Sequence, residues 1–143
     1  KKIWIIIKNV LKKQYKKLTK EQIEKFTFLK GAKKIPRVKP NGEPYYYTEG
    51  SMPFPDNLDA PARTMLTSEA TLNRSSHAIE DPQTKRIRKL TPIETERING
   101  FDDNWTDTGM PESFRYFTMG NALVVGLIEK MGNELNKIIE NEE

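Results

Sequence analysis

The chain has 143 residues, about one domain's worth, with 36% hydrophobic and 31% charged residues, which leaves room for a small core only. It holds no cysteine and one histidine, His77, which excludes disulfides, thiolate metal sites, a cysteine nucleophile within the chain and any multi-histidine metal centre. The net charge of +4 conceals a split: residues 1–40 hold 14 Lys and Arg against Glu21 and Glu24, whereas residues 41–143 hold 10 against 18 acids, the pattern of a polyanion-facing arm joined to an acidic globular part.

The first segment, residues 1–18, places Trp4, Ile7, Leu11 and Leu18 at near-helical spacing with Val10 and Tyr15 beside them, while the β-branched run 3–7 suits a strand equally well. That run is the longest apolar stretch. Five residues between lysines are too few for a membrane span or a signal-peptide core, so an intracellular protein without a membrane partner is expected. The start on Lys-Lys, without methionine, suggests a trimmed fragment. Thr19 and Gln22 form a capping box that predicts a short helix through Ile23, Phe26 and Leu29, ending on a left-handed Gly31.

Residues 32–62 are rich in proline. Asn41-Gly42 between residues 35–39 and 45–48 predicts a hairpin with a type I′ turn, and Tyr45-Tyr46-Tyr47 an edge strand. Residues 63–66 and 77–80 are short strand candidates, with a polar loop, 67–76, between them. Thr91-Pro92-Ile93-Glu94 combines an N-cap, a first-turn proline and a reciprocal cap, and predicts a helix ending near Asn99-Gly100. Residues 122–139 predict the strongest helix, with a continuous stripe of Leu123, Val124, Leu127, Ile128, Met131, Leu135, Ile138 and Ile139; its acidic end, 140–143, opposes the helix dipole and should fray.

Chemistry-bearing residues are sparse. There is no phosphate-binding glycine loop and no Ser-His-Asp spacing. Asp102, Asp103 and Asp107 form either a solvated turn or a hydrolase or divalent-metal site. Asn73, Arg74, Ser75, Ser76 and His77 read either as an ordinary loop or as a loop that touches nucleic acid, where arginine pairs with guanine edges and the others meet bases or phosphates. The basic run 85–89, with Lys85, Arg86 and Arg88, is either a solvated face or a phosphate contact beside a helix N-terminus. Arg97 is a solvent-facing arginine or pairs with Glu94 or Glu96.

Residues 88–101, RKLTPIETERINGF, resemble motif IX of the DNA (cytosine-5)-methyltransferases, with Arg88, Leu90, Thr91, Pro92, Glu94, Arg97, Gly100 and Phe101 all matching; Asp102 stands where the family usually has proline. Residues 117–124 resemble motif X at Gly120, Asn121 and Ala122. Residues 47–52 and 61–64 are similar to the end of the family's target-recognition region, and residues 67–77 fall where members place a DNA-recognition loop.

The resemblance implies methyl transfer from S-adenosylmethionine to C5 of a flipped-out cytosine in double-stranded DNA. It also implies that this chain is a C-terminal fragment or subunit, inactive alone, because the family's cysteine and glycine-rich cofactor motif lie in an N-terminal catalytic part, present in cis or in trans. The implied DNA-binding residues are Arg63, Ser68, Asn73, Arg74, Ser75, Ser76, His77, Lys85, Arg86 and Arg88. Asn121 and Ala122 would edge the cofactor pocket; Thr91, Pro92, Glu94, Arg97, Gly100 and Gly120 would be structural; no catalytic residue and no metal site is expected. The domains divide at 1–87, a target-recognition region with a basic arm 1–40 and a hairpin and loop 41–87, and 88–143, helices that pack on the catalytic part.

The expected fold is α+β, a small irregular sheet with hairpins, flanking helices and a long C-terminal helix, within a larger S-adenosylmethionine-dependent methyltransferase architecture. The expected setting is bacterial cytoplasm and restriction-modification. The rivals are a stand-alone basic DNA- or RNA-binding module and an interaction protein using the apolar stripe.

Overall fold

The computed structural model describes residues 2–7 and 16–141, with the Trp4 side chain excepted. The expectations placed on Val10, Leu11 and Tyr15, and on the last two glutamates, lie outside the described residues. The elements in chain order are α1 (Ile3–Ile6), α2 (Lys20–Lys30), β1 (Lys33–Val38), β2 (Pro44–Glu49), β3 (Ala78–Glu80), β4 (Ile87–Lys89), α3 (Pro92–Asn99), α4 (Glu112–Asn121) and α5 (Val125–Glu140). Two antiparallel two-stranded sheets, β1–β2 and β3–β4, stand among the helices, an α+β arrangement.

Both capping boxes form. Gln22 N–H donates to Thr19 Oγ1 (3.3 Å) and Thr19 N–H to Gln22 Oε1 (3.0 Å) at the start of α2. At α3, Glu94 N–H donates to Thr91 Oγ1 (3.3 Å) and Thr91 N–H to Glu94 Oε2 (2.6 Å). Each satisfies two backbone donors that a helix start leaves open. Gly100 ends α3 with φ 85°, which glycine adopts at little cost.

Gly31 differs from expectation. Its backbone is extended (φ −66°, ψ 160°), because the chain runs from α2 directly into β1. A side chain there would crowd the Thr27 carbonyl at 3.1 Å, so small size is what the position uses. The hairpin exists, but its turn is not type I′, which needs positive φ at both central residues. Only Gly42 has positive φ (86°). Gly42 N–H donates to Lys39 O and Lys39 N–H to Glu43 O (both 2.9 Å), a three-residue loop with Pro40 at the position where a type I turn favours it. Residues 63–66 form no strand; only Pro61 bridges, to Lys2.

The apolar core is Ile3, Ile7, Ile79 and Leu90, with Leu58, Ala62 and Ile98 against it. It is small, and charged groups fill much of the remaining interior. Arg88 is 0% exposed and donates to Asp81 Oδ2 through Nε (3.2 Å) and to Glu94 through Nη1 and Nη2 (2.9 and 2.8 Å). Thr84 and Gln83 supply further donors to Asp81. Glu96, also fully buried, accepts from Arg115 Nη2 (2.8 Å), Asn104 N–H (2.7 Å) and Thr106 N–H (3.1 Å). Arg97 pairs with neither Glu94 nor Glu96 in hydrogen-bonded geometry. It bonds Asp103 through Nε and Nη2 (2.6 and 2.5 Å) and donates to the Ile6 carbonyl (2.7 Å), tying α3 to α1.

The long C-terminal helix is shorter than its apolar pattern. Residues 122–124 are non-helical and separate α4 from α5. On α4, Gly120 lies against the segment entering loop 67–76. A Cβ at this position would overlap backbone atoms of Leu66 and Thr67. Asn99 Nδ2 donates to Met119 O (2.8 Å) and joins α3 to the same helix.

Three outcomes are expected. Glu94→Gln leaves Arg88 undercompensated and should cost about 3 kcal/mol in urea unfolding, as breakage of a buried ion pair does. Gly120→Ala should destabilise by more than about 1 kcal/mol in the same assay, since backbone must move to admit the methyl. For Asp81, burial works to raise the pKa, but hydrogen bonds from Thr84 and Arg88 and the Arg88 charge outweigh it and hold the carboxyl below its usual value. A depressed folded pKa stabilises above the unfolded value of about 3.9 and stops doing so as pH falls through the folded one. Acid titration of the folded chain should therefore show stability declining from about pH 4 downward, and an Asp81→Asn variant should show a smaller decline.

Candidate nucleic-acid interface

The loop expected to meet DNA is a tightly stitched turn. Asn73 Oδ1 accepts from Ser75 N–H (2.8 Å) and Ser76 N–H (3.1 Å), and its Nδ2 donates to Ser68 O and Ser68 Oγ (3.0 and 2.9 Å). Asparagine favours such turns because its carboxamide substitutes for backbone partners. Ser76 Oγ donates to Thr71 O (2.8 Å). Glu69, 1% exposed, accepts from His77 N–H (2.7 Å) and faces His77 Nδ1 at 3.2 Å. Lys89 Nζ, whose pKa burial pushes down, donates to the Ala70 carbonyl.

The basic side chains beneath the loop hold it to the body. Arg63 pairs with Asp56 through Nε (2.9 Å) and donates to Ser75 O (2.9 Å). Lys30, 1% exposed, donates to Ser76 O (2.8 Å) and lies 3.7 Å from Asp56; burial pushes its pKa down, and Asp56 and Glu69 oppose that. Arg74 reaches away from the loop. Its Nη1 donates to Leu29 O (2.8 Å) and Gly31 O (3.3 Å), capping the C-terminus of α2, and its Nη2 to Gly50 O. It also lies 3.3 Å from Glu49.

The residues expected at DNA thus fall into two groups. Arg63, Ser68, Asn73, Arg74, Ser75, Ser76 and His77 are brought together, but their polar contacts run into the protein. His77 and Arg88 are both 0% exposed, and the interior carboxylates Glu69, Asp81 and Glu94 engage their side chains. A neighbouring carboxylate holds each inward. Lys85 and Arg86, in contrast, are exposed at the β3–β4 turn, where Lys85 has φ 56°.

A cleft of about 360 Å³ opens between residues 61–65 and the end of α4, lined by Arg63, Met65, Asn99, Met119, Gly120 and Ala122 among others. Asn121 ends α4 at its edge, exposed, with Nδ2 donating to Phe117 O (3.3 Å). The acidic turn is structural in its pairing: Asp103 holds Arg97, and Asp107 lies 3.7 Å from Arg115. No cluster of metal-ligating side chains occurs among the described residues.

The basic, aromatic surface of the β1–β2 hairpin was not singled out residue by residue from sequence. Lys34 Nζ lies 4.4 Å from the Tyr46 ring centroid and the Arg37 guanidinium 4.2 Å from that of Tyr47. The signal was present as Lys33, Lys34 and Arg37 opposite three tyrosines across a turn. No helix among the described residues is long and apolar enough to cross a membrane.

The family profile of the C-5 cytosine-specific DNA methylases matches residues 1–137. The type II methyltransferase M.Sau3AI of Staphylococcus aureus is 54% identical over 128 residues, covering 88% of this chain and 30% of that protein. The orphan methyltransferase M.Rho11sI of Bacillus phage rho11s is 35% identical over 89 residues, covering 59% of this chain and 17% of that protein. The chain therefore spans less than a third of the length of these relatives. No solved structure gives a significant match. With its family profile matched over nearly the whole length, and motifs IX and X falling on α3 and α4, the chain belongs to the C-5 cytosine-specific DNA methylase family.

Proposed function

We propose that the chain is the DNA-recognising C-terminal part of a cytosine-5 DNA methyltransferase, working with a catalytic part that carries the cysteine nucleophile. The observation that carries this reading is the bare apolar face at the end of the chain. Leu123, Val124, Val125, Leu127, Ile128, Met131, Leu135, Ile138 and Ile139 are each at least 41% exposed, and α5 buries no residue. Contiguous apolar surface of this extent marks an interaction site. It follows directly on the motif X residues Gly120–Ala122, so a partner seated on α5 also meets the cleft.

The family's methyl donor is S-adenosylmethionine, which supplies an electrophilic methyl group. The residues present fit one edge of such a site. Asn121 offers an exposed carboxamide, and Ala122 and Gly120 line a concave wall. The chain has no cysteine to attack cytosine. In this reading its own work is to bind duplex DNA, hold the recognition loop rigid, and close one side of the cofactor site.

Within the DNA face, Lys85 and Arg86 meet phosphates. Arg74 acts by positioning: it fastens the loop to α2 and to residue 50. The carboxylates that balance Lys30, Arg63 and Arg88 are enclosed, so the outward cations set the potential that DNA meets.

Co-expression of this chain with the remaining N-terminal part of the Staphylococcus aureus relative tests the reading. Transfer of tritiated methyl groups to duplex DNA should need both parts. The double variant Leu127→Glu, Met131→Glu should abolish their co-purification and reduce transfer at least tenfold. Failure of the two parts to associate, with both folded, would refute the proposal.

A further inference from the structure

We propose that a second cleft, between residues 16–18, residues 70–72, Lys89 and the start of α4, binds the terminal phosphate of a small phosphate monoester of nucleotide size. This cleft shares no lining residue with the one beside motif X, and the proposal does not depend on the DNA-binding reading above.

The other enclosed cations among the described residues have counter-charges. Asp81 and Glu94 pair with Arg88, Asp56 lies 3.7 Å from Lys30, and Glu69 faces His77 at 3.2 Å. Lys89, 8% exposed, differs from them. Its Nζ donates to one backbone carbonyl, that of Ala70, and among the described residues it has no ion pair. A buried ammonium with only a neutral partner keeps much of its desolvation cost. Burial accordingly pushes its pKa down; Glu69 opposes that, the Lys16 charge adds to it, and Glu112 opposes it again. An anion within reach of Nζ supplies the missing counter-charge.

There is room for one. Lys89 lines a cleft of about 460 Å³, within the range of about 300–1,000 Å³ in which small-molecule sites fall. Lys16, Lys17 and Ser113 line it too, and Leu18, Leu72 and Tyr116 give it an apolar side. Backbone pairing holds the lysines in place: Lys89 N–H donates to Lys16 O (3.2 Å), Leu18 N–H to Ile87 O (3.0 Å), and Lys17 bridges to Arg88. Helix α4 starts at this cleft without a side-chain cap, so its first N–H groups and its positive end favour the same kind of ligand.

Charge selects the ligand. Among the lining residues three lysines stand against one carboxylate, Glu112, which leaves +2. Lys16 neutralises Glu112 at 2.5 Å, so the surplus sits on Lys17 and Lys89. A phosphate monoester carries about 1.5 to 2 negative charges at pH 7. A phosphodiester or a carboxylate carries one, so the monoester is the group that balances the cleft. Lysine meets phosphate as a point charge, and the apolar side takes the organic part of the ligand. Because Lys89 also holds the Ala70 carbonyl, an occupant fastens loop 67–76, residues 16–17 and α4 at one point.

The test is isothermal titration calorimetry of the chain in Tris buffer, with ionic strength fixed by sodium chloride and circular dichroism to confirm folding. Adenosine 5′-monophosphate should bind one per chain. Cyclic adenosine monophosphate, a singly charged diester with the same base, should bind about tenfold more weakly, and adenosine more weakly still. Lys89→Met should weaken monophosphate binding about tenfold, as loss of a hydrogen bond to a charged group does. Lys17→Ala should weaken it as well, whereas Lys130→Ala, on α5, should leave it unchanged. If Lys89→Met does not fold, Lys17→Ala decides, and unaltered affinity overturns the proposal. Equal binding of the monophosphate and the cyclic diester, or binding of neither, overturns it too. A short random-sequence duplex added in excess should leave monophosphate binding intact. Displacement of the monophosphate by the duplex overturns the separate site and assigns Lys17 and Lys89 to the DNA face. Failure of the chain to bind duplex at low salt bears on the DNA-binding reading alone and leaves the calorimetry to decide this one.

Discussion

The guanidinium of Arg88, closed off from solvent, constrains most of what surrounds it. A buried charge is tolerated only with partners that replace its hydration. Asp81 and Glu94 do this at 2.8–3.2 Å. Each partner has a second task. Asp81 accepts three bonds from Gln83 and Thr84 and so shapes the β3–β4 turn. Glu94 accepts from Thr91 N–H and so completes the cap of α3. One side chain thereby sets the strand pairing, the turn that exposes Lys85 and Arg86, and the start of the motif IX helix. Leu90, two residues on, enters the apolar core and gives its carbonyl to Tyr116 Oη–H (2.8 Å), whose phenol burial pushes up in pKa.

Glu96, buried two residues after Glu94, plays a similar part, holding Arg115, Asn104 and Thr106. Helix α3 is thus a polar hub. Its charges Glu94 and Glu96 are buried, and each holds an arginine, Arg88 and Arg115, from a neighbouring segment. Such a hub is directional. It specifies where α4 and the loop after α3 must lie, which a small apolar core cannot do by itself. The close approach at Gly120 then brings the loop 67–76 against α4, so the region read as DNA-recognising and the motif X residues share one rigid joint.

The elements that were legible in the sequence are those whose causes are local. Both capping boxes, the Gly100 terminus, the hairpin and the strand at 78–80 follow from residues within a few positions of one another. The departures share a different cause. Gly31 is extended because β1 starts immediately after α2. The Asn41-Gly42 turn takes a three-residue form because Pro40 pre-sets its first position. Residues 122–124 leave the helix just after Gly120 packs against the backbone of Leu66 and Thr67. At the candidate interface, residue type picks out a polar loop but not where its donors point. Arginine, asparagine and histidine contact nucleic acid and cap buried carbonyls with the same donors, and sequence does not say which way a donor points.

By itself the sequence determined the family, through motifs IX and X, the positions of the capped helices, and the segregation of basic residues into the first forty positions. Those properties are carried by residue identity and short spacing. The tertiary structure alone decided that Arg88 and His77 serve the interior, that Arg74 is a clamp on α2, that α5 keeps its apolar face bare, and that Lys17 and Lys89 share a cleft. Each depends on which groups come within about 3 Å across long stretches of chain, where hydrogen bonds and charge pairs are short-ranged and directional.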